Sequence, residues 1–113
     1  MKHRTMWGYM PMVTQDNRLY DLDGTQVNLG RTRWRKSGFL VTSNIDHAQF
    51  LPLPRGYKYI PNCIVRCDVW GDVFYPIAGQ RWSRCKPLEI LPIPPIESLN
   101  VWWNRNIACS VAH

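Results

Sequence analysis

Glutamate is almost missing from this 113-residue chain: Glu89 and Glu97 are the only two, against six aspartates. Few Glu–Lys pairs are then available to staple exposed helix faces, which argues against a helical bundle. Histidine is nearly as scarce, with His3 and His113 close to the chain ends and His47 the one internal copy. Catalysis needs a positioned base or nucleophile. His47 is the single histidine candidate, and a Cys67–His47 pair is the nearest approach to a nucleophilic arrangement. No Gly-x-Ser-x-Gly elbow, phosphate-cradling glycine loop or paired-histidine metal motif occurs. The expectation is a protein without enzymatic activity and without a cofactor.

Long apolar runs are absent as well. Charges or prolines interrupt every stretch, including Ile90–Ile96, before the roughly 18 residues that a membrane-spanning helix needs. The start, Met1-Lys2-His3-Arg4, is basic, but no small-residue cleavage site follows it. An intracellular setting, cytoplasmic or inside a virion, is expected, with organelle import as the alternative address.

What is present is one domain's worth of core-forming residues, 45% hydrophobic and 12% aromatic, well above the apolar poverty of disordered chains. The formal net charge is +6, and ten of the fourteen basic residues are arginine. Guanidinium grips phosphate or carboxylate with two parallel hydrogen bonds, so this balance points to an acidic partner. Half of the cations fall in two windows: Arg31, Arg33, Arg35 and Lys36, then Arg81, Arg84 and Lys86. Each window holds a tryptophan, Trp34 or Trp82. Cations beside flat aromatics suit phosphate neutralisation with base stacking. They equally suit solvated strand faces with tryptophan in the core and arginine in water. Within Arg31–Lys36 the alternation puts the three arginines on one face and Trp34 on the other, so one ligand would not stack on Trp34 while Arg33 and Arg35 hold its phosphate.

Four cysteines, Cys63, Cys67, Cys85 and Cys109, permit two disulfides or, with His113, a tetrahedral zinc site. The three-residue gaps differ from the two-residue knuckles of zinc ribbons. Period-two alternation instead places Cys63, Val65, Cys67 and Val69 on one apolar strand face, where reduced cysteine behaves as a small hydrophobe.

Asp23-Gly24 marks a hairpin between Arg18–Leu22 and Thr25–Leu29, with Tyr20 opposite Val27 and Leu22 opposite Thr25. Ser37-Gly38 marks a second turn between Arg31–Lys36 and Phe39–Ser43. A helical turn capped by Ser43 or Asn44 is expected over Asn44–Phe50. Tyr57–Ile60, Cys63–Trp70 and Val73–Ile77 read as strands, with Gly71-Asp72 turning the last two. Pro87, Pro92, Pro94 and Pro95 favour an extended arm over a central strand. Ile96, Leu99, Trp103, Ile107 and Val111 recur at helical spacing.

The resulting expectation is a mainly β fold, with α+β as the variant: a small antiparallel sheet or partly open barrel of about six short strands. Residues 1–86 would form the core domain, and residues 87–113 a proline-rich arm and aromatic tail packed on it or on a partner. The tail supplies Trp102, Trp103 and Ile107 as protein-contact anchors. The function expected is that of an accessory or assembly protein, of a kind found in phages and viruses. It would dock its arginine-rich face on an acidic partner, with self-association expected too. The alternative is a nucleic-acid-binding regulator using the same face.

Overall fold

Strand-forming alternation dominates the chain, and the computed structural model, which describes residues 6–76 and 78–93, is mainly β. Its strands are β1 (Met6–Gln15), β2 (Arg18–Tyr20), β3 (Gln26–Val27), β4 (Arg33–Val41), β5 (Cys63–Phe74) and β6 (Gln80–Leu91). They form one antiparallel sheet in the order β3-β2-β1-β5-β6-β4. The sheet is open along most of its length but curls until its far edge touches β1. Tyr9 N donates to Thr42 O at 2.7 Å and Thr42 N donates to Tyr9 O at 3.0 Å. Gly8 makes this approach feasible, because a Cβ there would lie 2.5 Å from Val41 Cγ2.

The expected cysteine face is present. Cys63, Val65, Cys67 and Val69 are buried along β5, and they pack with Met10, Met12, Phe39, Val41, Trp82 and Cys85 into one core. The three described cysteines are free thiols. Burial pushes the Cys63 thiol up, and Cys67 is raised by its hydrogen-bonding neighbour Cys85 and then by burial. A 3-10 turn spans Ile45–Phe50, with Asn44 Oδ1 accepting from Asp46 N at 2.9 Å.

Several local expectations are corrected. The chain does not reverse at Ser37-Gly38: β4 is continuous, and its register against β6 shifts between Trp34 and Phe39. Gly38 sits at φ +80°, so this bulge needs a residue without a side-chain penalty in the left-handed region. Gly71-Asp72 is likewise a bulge inside β5, where Ser83 Oγ accepts from Asp72 N at 2.9 Å. The turn that follows lies beyond Phe74, so Val73–Ile77 is no separate strand. The first hairpin is slipped by one residue: Leu19 faces Val27 and Tyr20 faces Gln26. A wider loop causes the slip. Thr25 N is held by both Asp21 Oδ1 and Asp23 Oδ1 at 3.0 Å, and Asp21 N donates to Thr25 O. This register buries Leu19 and Val27 together. Tyr57–Ile60 forms no strand, although Lys58 N donates to Leu22 O at 2.7 Å.

Two prolines stand inside strands. Met6–Gln15 carried no strand expectation, yet it forms β1, with Pro11 in the stretch between the Tyr9–Thr42 bridge and the Val13–Tyr20 pair. Tyr9 shows that odd residues of β1 turn their backbone groups toward β2 and β4, so Pro11 presents its missing N–H where no strand pairs. Pro87 was expected to begin an arm, but it lies within β6, a strand with neighbours on both sides. Its carbonyl accepts from Gly30 N at 2.6 Å, on the side where the chain has not yet entered β4, so no ladder donor is missed. The expected boundary after residue 86 therefore falls inside β6. The expected helix over 96–112, with Trp102, Trp103 and Ile107, lies outside the described residues.

Candidate functional site

Strand alternation divides the seven cations of the two windows between opposite sides of the sheet. On β4 the odd residues turn inward with Phe39 and Val41, both buried. Arg33 and Arg35 lie on that side, their guanidinium carbons 5.1 and 4.9 Å from the Phe39 ring centre. Each head group emerges at the lip of a cleft of about 130 Å³, lined also by Met10, Leu22, Leu51 and Arg81. There the turn between β2 and β3 meets them. Arg33 Nη2 is 2.9 Å from Asp21 Oδ2, and Arg35 Nη2 is 3.6 Å from Asp23 Oδ2.

Asp21 and Asp23 share a hydrogen bond that pushes their proton affinities apart. Asp21 is raised above its ordinary value by burial and then by Asp23, whereas Asp23 is lowered to about 2, chiefly by the hydrogen bond from Asp21. Such a split makes Asp23 the member that gives up its proton first as pH rises.

Arg33 and Arg35 are thus paired with carboxylates of their own chain, Arg33 mostly buried and Arg35 40% exposed. Trp34 points out, 60% exposed, whereas Trp82 is 5% exposed and belongs to the core. Arg31 and Lys36 are exposed at the β4 edge, and Arg81 lines the cleft. Those three make no ion pair among the described residues.

Pairing between β4, β6 and β5 creates an outer face that neither window contains by itself. Trp34 stands opposite Arg84, and Arg84 opposite Trp70. Directly opposed residues project to the same side of a sheet, so a cation sits between two tryptophans across three strands. Arg84 is exposed and unpaired among the described residues, and Trp70 is half-buried. One step along, Lys86 is opposite Asp68, and Asp68 opposite Trp7, which is 56% exposed. The Arg66 guanidinium covers the Trp7 ring at 4.4 Å while pairing with Glu89 at 3.2 Å. Sequence reading found Trp34, Arg84 and Lys86 but missed Trp70, Trp7 and Arg66. Their signal was period-two alternation: Arg66, Asp68 and Trp70 fall on the even positions of the strand whose odd positions are the cysteine face.

Among the described residues no group of three or more His, Cys, Asp or Glu is placed to hold a metal ion. No described helix is long and apolar enough to cross a membrane. Comparison with protein families, curated proteins and solved structures finds no match for this chain.

Proposed function

We propose that this chain is a non-enzymatic accessory protein that docks its outer sheet face on an acidic partner within a larger assembly. The observation that carries the reading is Arg84, exposed and unpaired among the described residues, between Trp34 and Trp70. Tryptophan and arginine are the side chains that concentrate binding energy at interfaces. Lys86, one step along the same face, adds positive charge beside that centre, and the chain's net charge of +6 draws an acidic partner toward it. Arg33 and Arg35 have a different part in this reading: their salt bridges hold β4 against the β2–β3 turn and set the strand on which Trp34 is displayed.

Inorganic polyphosphate and polyglutamate serve as generic acidic probes. Binding to at least one of them is expected, weakening steeply as salt rises. Arg84→Glu, at an exposed position with no ion pair among the described residues, should lower the affinity by about tenfold or more with the thermal midpoint preserved. No binding to either probe, or binding that ignores the charge reversal, would overturn the proposal.

A further inference from the structure

The outer face holds more than charge, and its aromatic geometry narrows the class of acidic partner. We infer that it is a platform for single-stranded nucleic acid, with bases stacked on Trp34 and Trp70 and the sugar-phosphate chain crossing Arg84. This rests on the proposed docking of the face on an acidic partner and adds the partner's chemistry.

Three features of the face carry the inference. Trp34 and Trp70 stand on β4 and β5 with β6 between them, two strand spacings or about 10 Å apart. That leaves room for a base on each ring and a phosphate over the cation between them. Trp34 displays most of its surface with no partner ring among the described residues, so its π-face is free to stack. Third, the charges nearest the two rings favour an anion. Arg84 is the residue directly opposite both tryptophans, whereas of the two acids that flank Trp70 on β5, Asp68 faces Lys86 and Asp72 lies in the bulge beyond it, and Glu89 pairs with Arg66.

An acidic protein surface would use the same arginine and could lay an aromatic ring on an indole, but it does not alternate flat groups and anions along one chain as a single strand does. A duplex hides its bases within the stack and offers only phosphates to a shallow sheet face. A single strand supplies both components, and stacking on aromatics tolerates every base because each has a π-face.

Fluorescence anisotropy with labelled dodecamers tests this on the full chain. The ligands are oligo-dT, oligo-rU, an abasic strand of equal charge, a duplex, and polyglutamate. Oligo-dT and oligo-rU should bind at micromolar concentration or tighter, with similar affinity, and quench tryptophan emission. The abasic strand and the duplex should bind at least about tenfold more weakly. Trp34→Ala should weaken oligo-dT by about tenfold and leave the abasic strand unchanged, while Trp34→Phe keeps most of the affinity. Trp34 is exposed, so neither change removes core packing, and circular dichroism confirms the fold.

Equal affinity for abasic and thymidine strands, or no effect of Trp34→Ala, would overturn the stacking platform and leave simple acidic docking standing. Tighter binding of polyglutamate than of oligo-dT would identify a protein partner and overturn the inference. Failure of every acidic ligand would overturn both proposals.

Discussion

Arg33 Nη2 lies 2.9 Å from Asp21 Oδ2, and this ion pair joins the start of β4 to the turn that follows β2. Both side chains are mostly buried, at 19% and 15% exposure, so the pair is shielded from water and salt more than a surface bridge would be. Arg33→Ala leaves the mostly buried Asp21 with Arg35, 4.0 Å away, as its remaining cation and should cost about 1–2 kcal/mol of folding stability. Arg31→Ala, two residues earlier and exposed, should stay within about 0.5 kcal/mol. Urea titration of the two variants compares them, and equal effects would mean that Arg33 is not a structural residue.

The contact of Gly8 with Val41 gives a second expectation. A methyl group on residue 8 would press into the stiff, β-branched Val41 side chain at 2.5 Å. Gly8→Ala should destabilise by about 1–3 kcal/mol through overpacking. Val41→Ala opens a cavity in the wild-type chain but relieves the clash in the Gly8→Ala chain. The double variant should therefore be more stable than the sum of the two singles predicts, by about 1 kcal/mol. Strict additivity in thermal or urea unfolding would place the two residues out of contact.

Acid stability should follow the split carboxyl pair. Asp23 is depressed from 3.8 to about 2, so the stability it contributes is present above its unfolded value and fades as pH falls from about 4 toward 2. Its side chain is more than a third exposed, and solvent screening reduces the contribution to about 1 kcal/mol. Asp21 has the opposite sign. Burial and its neighbour raise its value, so its contribution is complete at low pH and is lost as pH rises through that raised value. Asp23→Asn should flatten the acid limb of a stability-versus-pH curve, measured by urea unfolding across that range. Asn keeps an oxygen that accepts from Thr25 N, so loss of the turn is not expected to mask the result. An acid limb identical to wild type would contradict the assignment.

The β class, the buried cysteine face, the capped turn at Asn44 and the loop at Asp23-Gly24 were legible because each depends on residues adjacent in sequence. Strand β1 escaped notice because Pro11 interrupts its pattern. The last residues of β6, from Pro87, were read as an arm because proline is excluded from a strand only where a neighbour demands its N–H, and where β4 begins beside it is not written locally. Ser37-Gly38 and Gly71-Asp72 carry turn chemistry, yet the left-handed glycine in each serves a bulge. A positive φ bends the chain in either case, and the strands alongside select between reversal and continuation.

Local chemistry therefore decided that the chain forms short antiparallel strands, that Cys63, Val65, Cys67 and Val69 share one face, and that Trp34 opposes its flanking arginines. Side-chain alternation follows from backbone geometry and needs no partner. Which face meets water was decided by the tertiary structure. Phe39 and Val41 had to reach the core, which turned Arg33 and Arg35 inward toward Asp21 and Asp23 and left Trp34 outside. The placing of Arg84 between Trp34 and Trp70 is likewise a property of register across three strands. Hydrogen-bond pairing between segments distant in sequence sets that register, and no window of the chain contains it.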